Sequence, residues 1–163
     1  MSEGLLLLGG NLGDRRRHLR AAIKSLRVLP KTRLLARSNV YETAPVGPSR
    51  RPYLNLIVRI QTGLTPIGLL VELKRIESLA GRRAGQRWGA RTLDIDILRH
   101  GNARLKTDWL RIPHPRILER PFVLAPLNEL APSWKPDGRR SVASVLRRLN
   151  PGPGTVRIYR HGL

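Results

Sequence analysis

The sequence predicts an α+β fold in which helices pack against a mainly antiparallel sheet. Two observations carry this prediction. Segments with alternating apolar residues are interleaved with segments of helical periodicity, in the order βαββαβ. The chain has 163 residues, a length that fits one domain and allows roughly 70% of the unfolded surface to be buried. Because no internal repeat or linker divides the chain, we expect residues 1–163 to form a single domain.

The first half of the chain predicts a strand, a helix and two further strands. Residues 3–8 are mostly apolar and are followed by a Gly-Gly pair, which predicts a short first strand. Asp14 is a suitable N-cap for the helix, and Pro30 lies past its end. Residues 32–41 and 53–62 predict the second and third strands, the latter from its alternation of apolar and polar residues. The apolar residues at helical spacing in the first helix, between the first and second strands, are Leu19, Ala22, Ile23 and Leu26.

The second half completes the core and adds a helical extension. Thr65 and Pro66 open the next helix as N-cap and first helical residue, and this helix is expected to stop near Gly81. The segment LDIDIL then predicts a fourth strand. This order of elements is the split βαβ arrangement of ferredoxin-like folds. Towards the C-terminus we expect helices near 121–130 and 141–149 and a short strand within TVRIY.

The composition excludes several kinds of chemistry. The chain has no cysteine, which excludes disulfides, thiolate zinc sites and cysteine nucleophiles and favours a cytoplasmic location. The four-leucine run near the N-terminus is too short for a membrane span, and no export signal precedes it. The net charge of +20 favours polyanionic ligands: nucleic acid, anionic lipid or a nucleotide polyphosphate. The alternative is that most of these arginines form a solvated surface.

Two aspartates in the fourth predicted strand are the most informative residues for function. Residues two apart in a strand point to the same face, so Asp94 and Asp96 project together while their apolar neighbours face the core. Adjacent carboxylates repel unless a cation separates them. Magnesium fits this need because it accepts few protein carboxylates and completes its shell with water and phosphate. The alternative is that each aspartate pairs with a neighbouring arginine.

An arginine-rich segment lies immediately before this strand. Its guanidinium groups suit bidentate contacts with phosphate oxygens, so an acidic pair beside it is typical of a polyphosphate site. The arginines are Arg82, Arg83, Arg87 and Arg91. The segment GGNLGD near the N-terminus lacks the Gly-Lys-Ser/Thr ending of a Walker loop, and we interpret it as a strand-to-helix turn.

Several segments resemble one enzyme family. RWGARTLDIDIL, residues 87–98, is similar to the signature of the 6-hydroxymethyl-7,8-dihydropterin pyrophosphokinases of folate biosynthesis. Further similarity lies in GGNLGD, in YETAPVGP at 41–48, in YLN at 53–55, in Glu77 before a Gly-Arg loop, and in IPHPRILERPFVLAPLNELAP at 112–132. The resemblance implies the ferredoxin-like α+β fold and transfer of a pyrophosphoryl group from ATP to a pterin alcohol. The chain would then be a single pyrophosphokinase domain.

The resemblance also implies roles for particular residues. Asp94 and Asp96 would bind two Mg2+ ions that hold the ATP phosphates, and together with Arg82 and Arg91 they would form the catalytic set. The ATP-binding residues would be Glu77, Arg82, Arg91, His114 and Arg120. The pterin-binding residues would be Thr43, Ala44, Val46, Tyr53, Asn55, Trp88 and Phe122. Arg83 has no firm equivalent because the arginine loop is shorter than in some relatives.

The residues alone leave alternatives open. Tyr53 or Phe122, taken singly, would indicate ordinary core, whereas Asn55 falls on the polar side of its strand. Trp109 stands where some relatives carry a basic side chain, and Pro115 where some carry an aromatic one, so part of the nucleotide pocket is expected to differ. A basic RNA-binding protein of ferredoxin-like fold is a second hypothesis, although the aromatic RNA-binding strand motif is absent. A non-catalytic nucleotide-binding relative is a third.

We therefore expect an enzyme whose only partners are its two substrates. These are ATP and 6-hydroxymethyl-7,8-dihydropterin, with no specific nucleic acid and no membrane. We expect a monomer.

Overall fold

The computed structural model describes residues 1–45, 51–81, 90–150 and 155–163. Its larger elements are β1 (Ser2–Gly10), α1 (Arg15–Arg27), β2 (Thr32–Arg37), β3 (Tyr41–Thr43), β4 (Tyr53–Thr62), α2 (Pro66–Leu79) and β5 (Asp94–His100). They are followed by β6 (Leu105–Lys106), β7 (Arg111–Ile112), a 3-10 turn (Ile117–Glu119), α3 (Pro121–Leu130), α4 (Val142–Leu149) and β8 (Val156–Ile158). This combination of helices and antiparallel strands confirms the predicted α+β fold.

One antiparallel sheet organises the molecule. Its strands run in the order β5-β1-β4-β3-β8. β2 pairs with the same edge of β4 as β3 does, but along the C-terminal half of β4, whereas β3 pairs with its N-terminal half. The four strands of the βαββαβ core are therefore ordered β5-β1-β4-β2, as expected for the ferredoxin-like arrangement. β6 and β7 form a separate two-stranded ribbon.

The prediction of one continuous strand over residues 32–41 is wrong in one respect. β2 ends at Arg37, and a separate strand, β3, begins at Tyr41. Ser38 interrupts them: its backbone N–H donates to the carbonyl of Ile57 at 2.9 Å, and its hydroxyl accepts the N–H of Ile57 at 2.9 Å. The side chain thus replaces a backbone carbonyl in the ladder. The chain then bends, and β3 continues along β4 as a separate short strand.

Apolar residues on the two faces of the sheet build two cores. On one face, α1 and α2 cover side chains such as Leu6 and Leu8, which are fully buried. On the other, α3 and α4 cover Leu5, Leu7 and Ile57. Since successive strand residues point to opposite faces, the leucine run of β1 supplies both cores. Within the described ranges, no helix is long and apolar enough to cross a membrane.

The helices begin where their caps predict. The Asp14 carboxylate accepts the N–H of Arg17 at 3.0 Å, and the Thr65 hydroxyl accepts the N–H of Gly68 at 3.1 Å. α3 and α4 lie close to the predicted 121–130 and 141–149. Because α3 and α4 cover only part of their face, the remainder, which carries Asp94, is left for a site.

Candidate functional site

A row of cross-strand neighbours forms the centre of the site. Asp94 on β5 pairs with Gly9 on β1, Gly9 pairs with Asn55 on β4, and Asn55 pairs with Tyr41 on β3. Directly paired residues point to the same face of a sheet. Gly9 is tightly placed, because a Cβ there would collide with the Asn55 amide oxygen. The row therefore places a carboxylate and an amide on one face of the sheet, and the amide oxygen fills the space in front of Gly9.

The two aspartates lie on one face of β5, in different surroundings. Asp94 Oδ2 accepts a hydrogen bond from Arg91 Nη1 at 2.8 Å, and both side chains are about one quarter exposed. In the part of the chain that the structure describes, no lysine or arginine forms an ion pair with Asp96. The arginine-pairing alternative therefore accounts for Asp94 and leaves Asp96 unexplained.

Asp96 has an elevated pKa. Burial raises the pKa of its carboxyl to about 6, and the neighbouring Asp94 and Glu77 carboxylates add to the shift. Lys74 and Arg120 oppose it without cancelling it. This is the behaviour expected of a carboxyl in a low-dielectric position beside like charges. A divalent cation between the aspartates would relieve the repulsion.

The donor set fits magnesium bound by few protein ligands. Among the described residues, no group of three or more His, Cys, Asp or Glu side chains could hold a metal ion. Asp94 and Asp96 nevertheless offer two carboxylates on one face of β5. Two carboxylates suit Mg2+, which keeps several water or phosphate ligands.

Arg91 is positioned by the turn that follows β1. Its backbone N–H donates to Asn11 Oδ1 at 2.8 Å, while its carbonyl accepts the N–H groups of Asn11 at 2.9 Å and Leu12 at 3.1 Å. Gly10 lies against the same segment, and a Cβ there would collide with the carbonyl of Thr92. The segment GGN therefore forms a backbone support for Arg91.

Glu77 supports the aspartate strand from behind. The residue is only 1% exposed, and its Oε1 accepts the backbone N–H of Ile95 at 2.7 Å. Lys74 Nζ lies 3.0 Å from both carboxylate oxygens. Since β5 is an edge strand, this contact satisfies a buried N–H that has no partner strand on that side. The ATP contact expected of Glu77 stays a prediction, beside this structural role.

A cleft of about 260 Å³ opens beside Asp96. The sequence prediction included His114 and Asp96 among its lining residues, but missed several others. The missed residues include Lys74, Thr107 and Arg111, whereas Trp109, which the resemblance had associated with the nucleotide pocket, also lines the cleft. Lys74 could have been found because it lies one helical turn before Glu77, whereas the others come from the β6–β7 ribbon and reach the cleft only through tertiary folding.

His114 is neutral in this cleft. Burial, with the positive charges of Arg120 and Arg116, lowers the pKa of its imidazole to about 4. Its Nδ1 accepts the backbone N–H of Arg116 at 3.3 Å, which assigns the ring proton to Nε2. His114 therefore offers a neutral N–H donor to a ligand.

Arg120 and Phe122 lie together at the start of α3. The Arg120 guanidinium lies 5.7 Å from the centre of the Phe122 ring. Burial and the charge of Arg116 lower the pKa of Arg120. Phe122 packs partly against the second core and is half-buried. Phe122 therefore contacts both the second core and the Arg120 guanidinium.

The polar side of the site is built by β3 and β4. Asn55 Nδ2 donates to Thr43 Oγ1 at 3.3 Å, and both residues are buried. Tyr53 pairs with Thr43, and burial raises the pKa of the Tyr53 hydroxyl. The N–H of Ala44 donates to the carbonyl of Thr155, next to β8. The predicted residues Val46, Arg82, Arg83 and Trp88 lie outside the described residues.

A contact that the sequence analysis missed joins α3 to β3. The Tyr41 hydroxyl donates to Glu129 Oε1 at 2.5 Å, and the same carboxylate accepts the backbone N–H of Asn39 at 2.9 Å. Burial and the Glu129 carboxylate raise the pKa of Tyr41 far above its usual range. The contact ties the helix carrying Phe122 to the strand carrying Thr43.

Comparisons with known proteins agree on one family. The model of the 7,8-dihydro-6-hydroxymethylpterin-pyrophosphokinase family matches residues 5–132. Two relatives are named 2-amino-4-hydroxy-6-hydroxymethyldihydropteridine pyrophosphokinase. That of Haemophilus influenzae is 42% identical over 132 residues, 80% of this chain and 82% of the relative. That of Pseudomonas aeruginosa is 43% identical over 134 residues, 81% and 83% of the two chains.

Longer proteins contain a similar domain. A mitochondrial folate synthesis bifunctional protein of Pisum sativum is 43% identical over 129 residues, which are 78% of this chain and 25% of that protein. A crystal structure of Plasmodium falciparum HPPK-DHPS superposes with a TM-score of 0.68 at 18% identity. This superposition covers 91% of this chain and 44% of that one, and it supports the fold.

Proposed function

The chain belongs to the 7,8-dihydro-6-hydroxymethylpterin-pyrophosphokinase family, and from this premise we propose how its own residues carry out pyrophosphoryl transfer. The reaction moves the β,γ-diphosphate of ATP to the hydroxymethyl oxygen of 6-hydroxymethyl-7,8-dihydropterin in folate biosynthesis. AMP and the pterin diphosphate are the products. The observation that carries the proposal is the row Asp94, Gly9 and Asn55, with Asp96 beside it on the same face.

In this proposal, Asp94 and Asp96 bind two Mg2+ ions. The raised pKa of Asp96 and the absence of an ion-pair partner for it within the described ranges support this role. When bound, Mg2+ would neutralise part of the negative charge of the phosphates. Arg91, already paired with Asp94, adds a guanidinium to the same side of the site. Arg82 is proposed to contact phosphate as well, on the strength of the sequence resemblance.

The pterin lies beside the Asn55 amide, which fills the space in front of Gly9. Tyr53 and Phe122 provide aromatic faces, and the Asn55 amide, already hydrogen-bonded to Thr43, is oriented to bind polar groups of the ring. Buried amides fix the orientation of a ligand because an unmatched polar group would stay unpaired. Backbone groups near Ala44, together with Val46 and Trp88, complete this part of the proposal.

The nucleotide occupies the cleft beside Asp96. Neutral His114 donates its Nε2–H, and Arg120 and Lys74 contribute positive charge. In this arrangement the hydroxymethyl oxygen attacks the β-phosphorus in line. A new O–P bond forms, the bond from the β-phosphorus to the bridging oxygen breaks and leaves that oxygen on AMP, and the hydroxyl proton is released to solvent water. Such transfer depends mainly on positioning and charge stabilisation.

The remaining parts of the proposal concern the protein as a whole. Residues 1–163 form a single pyrophosphokinase domain that acts as a monomer in the cytoplasm. The net charge of +20 serves substrate attraction and not specific nucleic-acid binding. Analytical ultracentrifugation at assay concentrations tests the monomer directly.

The decisive experiment measures AMP and pterin diphosphate formed from ATP and hydroxymethyldihydropterin with magnesium present. We expect both products in equal amounts, and neither product in EDTA. Tight MgATP binding without turnover would favour the non-catalytic relative. Salt-resistant, sequence-selective RNA binding without turnover would favour the RNA-binding protein.

A further inference from the structure

Trp109 is a large aromatic residue held outside the core. It lies in the turn between β6 and β7 and is 84% exposed. Hydrogen bonds between Thr107 and Leu110 close this turn. The Thr107 N–H and hydroxyl both reach the carbonyl of Leu110 at 3.0 Å, and the hydroxyl also accepts the N–H of Leu110 at 3.0 Å. An exposed indole on a fixed turn is a preorganised contact surface.

Trp109 lies where a polar cleft meets an apolar groove. The cleft of about 260 Å³ contains Asp96 and His114. The groove, about 800 Å³, runs along α2 and has a mainly apolar lining. Leu70, Lys74 and Trp109 line both. Moving away from Asp96, the surface therefore changes from charged to aromatic and aliphatic.

Along its length, ATP changes from charged to aromatic in the same way as this surface does. Its phosphates are charged, and its adenine is flat and aromatic. With the phosphates near Asp96 and Lys74, the nucleoside end extends towards the rim of the cleft, where Trp109 and Leu70 offer apolar contact. Stacking on an aromatic side chain is the usual way in which proteins hold a base without reading its edge.

We propose that Trp109 contacts the nucleoside end of ATP by stacking on its base, and thereby contributes to nucleotide affinity. The inference rests on the proposed function, since it assumes that the phosphates bind beside Asp96. It predicts that the indole acts on the base and not on the phosphates. An apolar partner protein docking in the groove would require the wider surface, including Leu79, instead of this single side chain.

The test compares two ligands that share phosphates and differ in the nucleoside. Binding of MgATP and of magnesium tripolyphosphate is measured by calorimetry for wild type, Trp109→Ala, Trp109→Phe and Leu79→Ala. Leu79 is a matched control because it is 86% exposed and lines the groove without lining the cleft. Thermal unfolding verifies that each variant is folded.

We expect Trp109→Ala to weaken MgATP binding about 5- to 150-fold, in line with base stacking on aromatics, and tripolyphosphate binding less than about 2-fold. Trp109→Phe should retain most of the ATP affinity, and Leu79→Ala should change neither ligand. In turnover assays, the KM for ATP should rise for Trp109→Ala while kcat and the KM for the pterin stay near wild type.

Three results would overturn the inference. These are unchanged ATP affinity in Trp109→Ala, equal weakening of both ligands in that variant, or equal loss of ATP affinity in Leu79→Ala. Failure of the proposed function is distinguishable, because wild type would then bind ATP without forming AMP in the presence of the pterin.

Discussion

The Glu77 carboxylate accepts the backbone N–H of Ile95 at 2.7 Å, at the residue between the two aspartates of β5. The position of the acidic pair therefore depends on a side chain from α2. Glu77→Ala leaves that buried N–H unpaired, and we expect a loss of about 1 to 3 kcal/mol in the free energy of unfolding. Glu77→Gln retains an acceptor and should lose less. Urea denaturation of both variants measures the difference, and equal losses would contradict this role.

Asp96→Asn should separate stability from activity. A carboxyl whose pKa is higher in the folded than in the unfolded protein stabilises the fold below about pH 4, and that stabilisation is lost as the pH rises through about 6. Removing the charge should therefore stabilise the metal-free protein at pH 8, by roughly 1 to 3 kcal/mol. Turnover should fall about 10²- to 10³-fold. Thermal unfolding in EDTA at pH 5 and pH 8, with turnover across a magnesium titration, provides the measurements.

Asp94→Asn is the matched variant for this experiment. Because Asp94 pairs with Arg91 at 2.8 Å, neutralising it removes an ion pair and should destabilise the metal-free protein by up to about 1 kcal/mol. Opposite changes in stability for the two variants support the distinction between the aspartates. A lower melting temperature for both, or normal turnover of Asp96→Asn in saturating magnesium, would remove Asp96 as a required metal ligand.

Phe122→Ala should weaken pterin binding by roughly 1 to 3 kcal/mol, by analogy with bases stacked on aromatics, with little change in ATP affinity. Some loss of stability is also expected, because the ring packs partly against the second core. Phe122→Tyr keeps the aromatic face and serves as the control. Calorimetry with each ligand decides the matter: equal loss of pterin and ATP affinity would make Phe122 a core residue only.

Tyr41→Phe should affect the pterin side of the site through positioning. The variant loses the hydroxyl contact with Glu129, for which we expect about 0.5 to 1.5 kcal/mol of unfolding free energy, or more because the acceptor is charged. Since this contact joins α3 to β3, the KM for the pterin should rise several-fold while the KM for ATP stays within 2-fold. A uniform loss of kcat with both KM values unchanged would argue against positioning.

His114 should titrate well below the usual histidine range. Burial and two neighbouring arginines lower its pKa to about 4, so protonating it favours unfolding as the pH falls from about 6.5 towards 4. Nitrogen NMR of the free protein should show a neutral ring protonated at Nε2 at pH 6. Arg120→Leu should move the midpoint upwards. A midpoint unchanged by that substitution would mean that Arg120 does not contribute to the low pKa of His114.

Local sequence patterns predicted the features that depend on residues close together in the chain. The caps at Asp14 and Thr65 and the shared face of Asp94 and Asp96 follow from hydrogen-bonding side chains and strand alternation, and they occur as expected. The break at Ser38 was missed, because an isolated serine within an apolar-polar alternation gives no sign that its hydroxyl will accept a ladder N–H.

Long-range contacts were less predictable. Tyr41 meets Glu129 across 88 positions, and nothing near either residue indicates its partner. Thr107 and Arg111 reach the cleft beside Asp96 because the β6–β7 ribbon folds back towards α2. The resemblance to a known family supplied candidate roles, but the support given to β5 by Glu77 became visible only in three dimensions.

The pairing of β3 with β8 has a consequence for how the protein is made. Glu42 on β3 meets Arg157 on β8 across 115 positions, so the ribosome completes β3 long before its partner. At about 5 to 20 residues per second, that interval lasts roughly 6 to 23 s. During this time the free edge of β3 is open to pairing with other chains, a recognised route to aggregation. Slow translation or loss of β8 should therefore lower the yield of native protein more than it lowers the stability of the protein that does fold.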